Sequence, residues 1–382
     1  MIINNDYIIS RMIALKKEQL DETSVKRKRK SLFRQITRII PGRFKKRLKT
    51  IVCSQYNPLY VYYTGRKQLK NSSKNNTVLF HNHVWAINFI EYCMENTVYF
   101  DTHNFFSEED DVLIQQHIDY RIKCFLGCRA ETMNEEQLNC LRLMQNMEHS
   151  VKTRKDFYVL PSDNRKYYLP QNQFEINTWG YHYGLKLLPD KVKESIRGKD
   201  FLDIGAFIGD SALMFLQYCP KRIFAYEPVT ATYKDLIKTV ECEGNAGIYP
   251  VKKGMGDKKM TVKIAVKGMA SSILDGYDVN RVLPAESIEI TTIDAECTDK
   301  NVGLIKMDIE GFEYFAIKGG LETIKKDKPV LLISIYHTGK DFFEIPPMIK
   351  LCVPEYTFKY LDIMPSNPID EKILVGYTCL LS

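Results

Sequence analysis

Over the second half of the chain, short apolar runs alternate with amphipathic stretches. Short apolar runs bounded by turn residues read as buried strands, and stretches with a 3.6-residue apolar period read as helices laid over them. The pattern predicts strands near 200–205, 222–227, 247–252, 302–308 and 329–336, with helices at 210–218, 230–243 and 312–325. Such alternation predicts a parallel sheet covered by helices on both faces. The end of the chain breaks the rule: YTFKYLDI and KILVGYTCLL are consecutive strands joined by a loop with two prolines, which predicts a closing antiparallel hairpin.

Upstream the signals are more helical. The polar stretch KQLKNSSKNNT at 67–77 reads as a loop or linker. A strand at 77–83, a helix at 84–95, a strand at 97–101 and helices at 107–127 and 134–150 follow. Ser107 before four consecutive acids is a strong helix start, because acids complement the positive end of the helix dipole. The segment DNRKYYLPQNQFEINTWGYHYG is rich in aromatic and amide side chains. It suits a lid over a ligand, with Trp179, Tyr181, His182 and Tyr183 as candidates, and suits a polar-edged hairpin equally. The chain divides into a basic arm (1–70), a mainly helical or α/β accessory domain (71–158), a lid or linker (159–197) and an α/β domain (198–382).

Charge adds a feature that the apolar pattern does not show. The net charge is +7, yet residues 1–70 carry 18 Lys and Arg against four acids, and residues 25–49 carry twelve basic residues and no acid. Phe33, Ile36 and Ile40, then Phe44, Leu48 and Ile51 beyond Pro41, form apolar stripes on that arm. A basic amphipathic segment suits contact with anionic lipid; a solvated arm packed on its own enzyme explains it as well. No apolar run is long enough to span a bilayer, so membrane contact would be peripheral. Ten cysteines at scattered spacings, without a cleavable signal segment, read as reduced cytosolic thiols. Cys124 and Cys128 lie one helical turn apart, but no second pair follows at zinc spacing.

The candidate chemistry starts at FLDIGAFIGD, residues 201–210, with AYEPV following. A strand, a turn bracketed by Gly205 and Gly209, a helix start at Asp210 and an acid, Glu227, ending the next strand form a cradle for a nucleoside-bearing cofactor. Glu227 is placed to accept hydrogen bonds from ribose hydroxyls. The turn is G-A-F-I-G, with Phe207 in its middle, and lacks the G-x-G-x-x-G that seats a dinucleotide pyrophosphate. Asp203 suits a ligand with a cationic end, such as the amino group of S-adenosylmethionine. Met255 and Asp257, in the GMGD turn after the third strand, are candidates for the adenine face and edge; an ordinary glycine turn is the plainer reading.

On the fourth strand, VGLIKMDIEG, Lys306, Asp308 and Glu310 alternate with apolar residues and share one face. Buried unpaired charge is too costly to be accidental, so these groups either tie the strand to its neighbours or line an acceptor pocket. In the second reading Asp308 or Glu310 accepts a proton or orients the acceptor. His337, ending the fifth strand, joins them as a candidate base. A divalent metal on Asp308, Glu310 and His337 is a weaker alternative, and no metal ligand is assigned.

DIGAFIGDSAL, YEPV, IEITTIDAE, LIKMDIEGFEYFAIKGG and LLISIYH together resemble the ordered blocks of FkbM-type S-adenosylmethionine-dependent methyltransferases, over about residues 198–382. The resemblance implies a class I, Rossmann-like methyltransferase sheet and S-adenosylmethionine as cofactor. It implies O-methylation of a sugar, glycoconjugate or polysaccharide precursor; the thiols and the basic arm place the chain in the cytoplasm or peripherally at the inner face of the membrane. Ser271 and Ser272 in GMASSIL resemble the family's serine-containing loop. Two other readings stand beside it. One is a nucleic-acid methyltransferase, suggested by the basic arm and by NPLY at 57–60 but disfavoured because NPLY lies outside the cofactor domain. The other is an inactive methyltransferase fold that binds a membrane or a partner.

Overall fold

The computed structural model describes residues 1–21, 77–78, 84–126, 128, 131–161, 165–244, 247–265 and 285–378. The basic run 25–49, NPLY and the 268–274 serine loop lie outside the described residues.

Seven strands form the central sheet: β1 (Asp200–Ile204), β2 (Arg222–Tyr226), β3 (Ile248–Val251), β4 (Val302–Met307), β5 (Val330–Ser334), β6 (Tyr356–Asp362) and β7 (Lys372–Thr378). Their order is β3-β2-β1-β4-β5-β7-β6. The first five are mutually parallel, and β7 enters antiparallel between β5 and β6. Strand order reverses at β1 and β4, so the crevice beyond their carboxyl ends is where an open α/β sheet binds its ligand.

Every residue of β1, β4 and β5 is buried, which is why these segments read as continuous apolar runs. Ile305, Met307 and Ile333 pack into one apolar layer, and Leu304, Leu332 and Val375 into the other. The first layer continues into Phe89, Ile114 and Ile118 of the helices Val84–Glu95 and Glu108–Leu126. Those helices therefore share one core with the sheet. Residues 1–21 join them: Ile2–Asn4 pairs antiparallel with Tyr99–Asp101, and the Asn5–Asp21 helix is tied to Asp119 by Arg11 Nε at 2.9 Å.

Three elements depart from the expected pattern. The helix expected over 312–325 is two helices, Glu313–Lys318 and Leu321–Asp327. Between them, a Cβ on Gly319 would stand 2.1 Å from the Gly256 carbonyl oxygen, so the chain needs glycine at this contact. A helix not anticipated at all spans Gly339–Cys352 with Pro346 and Pro347 inside it. Its face buries Phe342, Phe343, Ile345 and Ile349. At about 1.5–3 kcal/mol per buried side chain that burial exceeds the roughly 3 kcal/mol cost of a proline in a helix. Finally, Lys152–Arg154, Phe157–Pro161 and Lys166–Leu169 form a separate antiparallel sheet ahead of β1.

Candidate active site

The cofactor turn is shaped by close approach of backbone. Gly205 has φ +77°, and a Cβ there would lie 1.9 Å from the Asp308 carbonyl oxygen, so only glycine lets the turn after β1 touch the end of β4. Phe207 (φ 48°) and Gly209 (φ 87°) are also left-handed, and they fold the turn back to start the Asp210–Phe215 helix. Glu227 ends β2 beside this turn. Its Oε1 accepts the Val229 N–H and the Thr232 hydroxyl, both at 2.8 Å, which fixes the carboxyl orientation. Burial pushes Glu227 up to about 7, against hydrogen bonds from Val229, Thr232 and Phe207. The turn and the end of β2 are joined directly: the Gly205 N–H donates to the Tyr226 carbonyl at 3.0 Å, and the Phe207 backbone hydrogen-bonds the Glu227 carboxyl.

Asp203 is placed differently from the expectation. It is fully buried; its Oδ2 accepts the Ser211 hydroxyl at 2.6 Å, and its Oδ1 lies 3.2 Å from Lys306 Nζ. The two residues are directly opposed in the β1–β4 register. Lys306 also donates to the Gly205 carbonyl at 2.8 Å and sits 4.7 Å over the Tyr183 ring. Burial opposes its charge, yet Asp203, Asp308 and Asp210 together raise its pKa. The negative charge of Asp203 is therefore already neutralised inside the protein. Its part is to hold the glycine turn rather than to meet a cationic ligand directly.

Met255 also departs from the adenine-contact expectation. At 1% exposed, it packs in the core with Ile293 and Ile317, because the short strand Gly254–Met255 turns its side chain inward. Asp257 remains at the surface and pairs with Lys318 at 3.2 Å.

Asp308, Glu310 and His337 are brought together by the ends of β4 and β5. His337 Nε2 lies 3.4 Å from Asp308 Oδ1 and 3.9 Å from Glu310 Oε2. Glu310 (φ +61°) and Gly311 (φ +98°) are successive left-handed residues. A non-glycine residue so held carries strain, as occurs at functional turns. Burial pushes Glu310 up to about 8, with Asp308 and Glu313 adding to the rise.

Glu313, passed over in the sequence although it stands inside KMDIEGFE, organises this turn. It is fully buried, its Oε1 accepts the Ile309 N–H at 2.7 Å, and its Oε2 accepts the Gly311 N–H at 2.9 Å. The same Oε1 is 2.9 Å from His337 Nδ1. Burial works against charge on His337, but Glu313, Glu310 and Asp308 outweigh it and raise the imidazole to about 10. An imidazole raised this far does not suit the role of resting base, and neither does the raised Glu310 carboxyl, which leaves Asp308 as the candidate to accept a proton.

Of the lid candidates, Tyr183 reaches the site: it is buried, and its hydroxyl donates to Asp308 Oδ2 at 3.3 Å. Trp179 packs on Tyr167 and Phe174, His182 Nδ1 lies 2.6 Å from the Tyr218 hydroxyl, and Tyr181 packs in the same apolar layer. Glu371 was not anticipated. It stands immediately before β7 at φ +63° and accepts the Asn177 side-chain N–H at 2.8 Å. Burial raises its carboxyl, and Asp308 adds to the rise. The proline loop presents it there because buried Lys372 donates to Asp362 Oδ1 and to the Asn367 and Asp370 carbonyls, at 3.0, 2.9 and 2.7 Å.

A five-stranded parallel run closed by an antiparallel β7–β6 pair, with a glycine turn after β1 and a buried acid after β2, defines the class I methyltransferase fold. Residues 203–360 match the profile of the Methyltransferase FkbM domain. Among solved structures it is similar to methyltransferase FkbM from Methylobacillus flagellatus KT, at 19% identity and TM-score 0.39, covering 64% of this chain and 61% of that one. It is similar to the Pyrococcus abyssi tRNA (uracil-54, C5)-methyltransferase in complex with S-adenosyl-L-homocysteine, at 14% identity and TM-score 0.34, covering 59% and 45%. M. jannaschii TYW2 in complex with AdoMet is a third, at 12% identity and TM-score 0.33, covering 59% and 87%. These similarities are too low to decide an acceptor. No curated protein matches the chain.

Proposed function

We propose that this protein is an S-adenosylmethionine-dependent O-methyltransferase acting on a hydroxyl of a sugar, glycoconjugate or polysaccharide precursor. The observation that carries this reading is the adjacency of two features. The glycine turn and Glu227 form a nucleoside cradle, and the Gly205 backbone of that cradle touches the backbone of Asp308, whose carboxyl is 15% exposed at the rim.

When bound, S-adenosylmethionine supplies an electrophilic methyl on a sulfonium. The chain supplies geometry and a place for a proton. Glu227 accepts the ribose hydroxyls, while Gly205 and Gly209 let the turn backbone approach the ligand without a Cβ in the way. Tyr183 orients the Asp308 carboxyl from Oδ2, and its Oδ1 lies 3.4 Å from His337 Nε2. With donor and acceptor bound, Asp308 would take the acceptor's hydroxyl proton and His337 would offset the charge around it. Holding the acceptor in line supplies most of the rate gain. Asp308, Glu310 and Glu371 gather carboxyl groups at this end of the sheet, which can hydrogen-bond the hydroxyls of a saccharide acceptor.

The test is calorimetry with S-adenosylmethionine, followed by methyl transfer from labelled donor to saccharides and to RNA, read by mass spectrometry. Donor binding that weakens in Glu227→Ala, with label on a saccharide hydroxyl, supports the reading. Label on RNA alone, or NADH binding tighter than the donor, overturns it. No described helix is long and apolar enough to cross a membrane. Contact of residues 25–49 with anionic lipid is a further part of this proposal. It predicts liposome co-sedimentation that requires acidic lipid and fades with salt; equal pelleting with neutral lipid removes it.

A further inference from the structure

At the ends of β4 and β5 the acids outnumber the cations facing them. Asp308, Glu310 and Glu313 all lie within 4 Å of the His337 ring nitrogens, at 3.4, 3.9 and 2.9 Å. Asp341 is fully buried beside them, accepting the Tyr314 N–H at 3.1 Å and the Thr338 hydroxyl at 2.6 Å. Lys306 on β4 is already paired with Asp203. Four carboxyl groups thus surround one imidazole, a concentration of oxygen donors about a single ring nitrogen donor.

A second observation is independent of the charge count. His337 is fully buried, and neither ring nitrogen has a hydrogen-bond partner of good geometry, although Nε2 is aimed between Asp308 and Glu310 and Nδ1 lies 2.9 Å from Glu313 Oε1. Ligand atoms from Asp308, Glu313 and His337 lie within 4.8 Å of one another. Bonds of about 2.1 Å to one six-coordinate ion hold adjacent donors about 3 Å apart and opposite donors about 4.2 Å apart, so side-chain shifts that shorten these spacings by up to about 2 Å would close the set.

We propose that Asp308, Glu313 and His337 form a divalent-cation site, with Glu310 in reach as a further oxygen ligand. Two or three carboxyls and one imidazole favour Mn²⁺ or Mg²⁺ over the thiolate-seeking metals. The site was first read as Asp308, Glu310 and His337; the fold puts Glu313 in the inner set instead, because the left-handed turn at Glu310 carries that side chain toward the rim. Metal binding at this position stands without any assumption about catalysis. Its use rests on the methyl-transfer reading: a cation beside Asp308 would lower the pKa of an acceptor hydroxyl entering from the rim.

The experiment uses the full chain, treated with chelator, desalted and titrated with Mn²⁺, with the free ion read by electron paramagnetic resonance. One saturable site per chain is expected. Asp308→Asn keeps the side-chain shape at a largely buried position and should weaken that site at least about 10-fold, and His337→Ala should weaken it further, since even outer-shell changes cost about 10–100-fold. Glu355→Gln, an exposed acid paired with Lys328 at 2.8 Å, should leave it unchanged. Absence of saturable Mn²⁺ binding, or equal affinity in wild type and Asp308→Asn, overturns the proposal and leaves the proton on His337 as the cation of the cluster. Parallel calorimetry with S-adenosylmethionine separates the two failures: a chain that binds the donor but no Mn²⁺ loses only the metal site, and one that binds Mn²⁺ but no donor loses only the methyl-transfer reading.

Discussion

At the end of β1, Asp203 faces Lys306 at 3.2 Å, and its other oxygen is taken by Ser211. At the end of β5, one imidazole faces three carboxyls, two of them partly open to solvent. Both clusters bring ionisable groups into the same crevice, and both were read from the sequence as ligand sites. The first is charge-balanced and closed, with Lys306 bonded to the Gly205 carbonyl, so it fixes the cofactor turn. The second sets three carboxyl groups against one imidazole and leaves Asp308 and Glu310 partly open to solvent, so it has capacity left for a cation or an acceptor. Charge balance, more than burial alone, separates a structural pair from a reactive site.

The largest expected effect lies in the second cluster. Asp308→Asn should lower turnover on a verified acceptor by about 10²–10⁴-fold while donor affinity stays near wild type. A parallel fall in donor affinity would mean that the two clusters are not separable.

Next comes the closed pair. Lys306→Met leaves Asp203 buried without its cation and should cost roughly 3–5 kcal/mol in denaturant unfolding. Combining it with Asp203→Asn should recover part of that loss. A single variant as stable as wild type would show that Asp203 is not held by Lys306.

Glu227 sharpens the comparison at the ligand. Its removal should cost the donor about 1.5–3 kcal/mol of affinity. Because burial holds its carboxyl up to about 7, and ribose hydroxyls bind the charged form, donor affinity should rise as pH rises through about 7. The free protein has the opposite sign at this residue, since a raised carboxyl favours the fold at low pH and loses that contribution as pH rises toward 7. Calorimetry across that range should show the affinity slope in wild type and a flat profile in Glu227→Gln.

The smallest effect is predicted for Asp257→Ala, which removes a pair with a half-exposed Lys318 and should change stability by less than about 1 kcal/mol. A large loss of donor affinity there would restore Asp257 as an adenine contact.

Apolar periodicity alone specified the order and type of the sheet elements, the glycine turn and the acid after β2, because these follow from residues within one or two turns of each other. It did not reveal the Gly339–Cys352 helix, whose proline pair signals a break that only the burial of Phe342 and Phe343 overrides. Nor did it reveal Glu371, which looked like part of a loop until Lys372 was seen to clamp that loop against the site. Asp203 and Lys306 were each recognised as unusual, but their pairing depends on the β1–β4 register, fixed by strands about a hundred residues apart. Glu313 looked like an ordinary acid opening a helix. Only the tertiary fold, by carrying His337 from β5 to within 2.9 Å of it, decided that this carboxyl holds the site together. Local pattern sets which segments become strands and helices, whereas the partner of a buried charge is chosen by contacts that no local pattern contains.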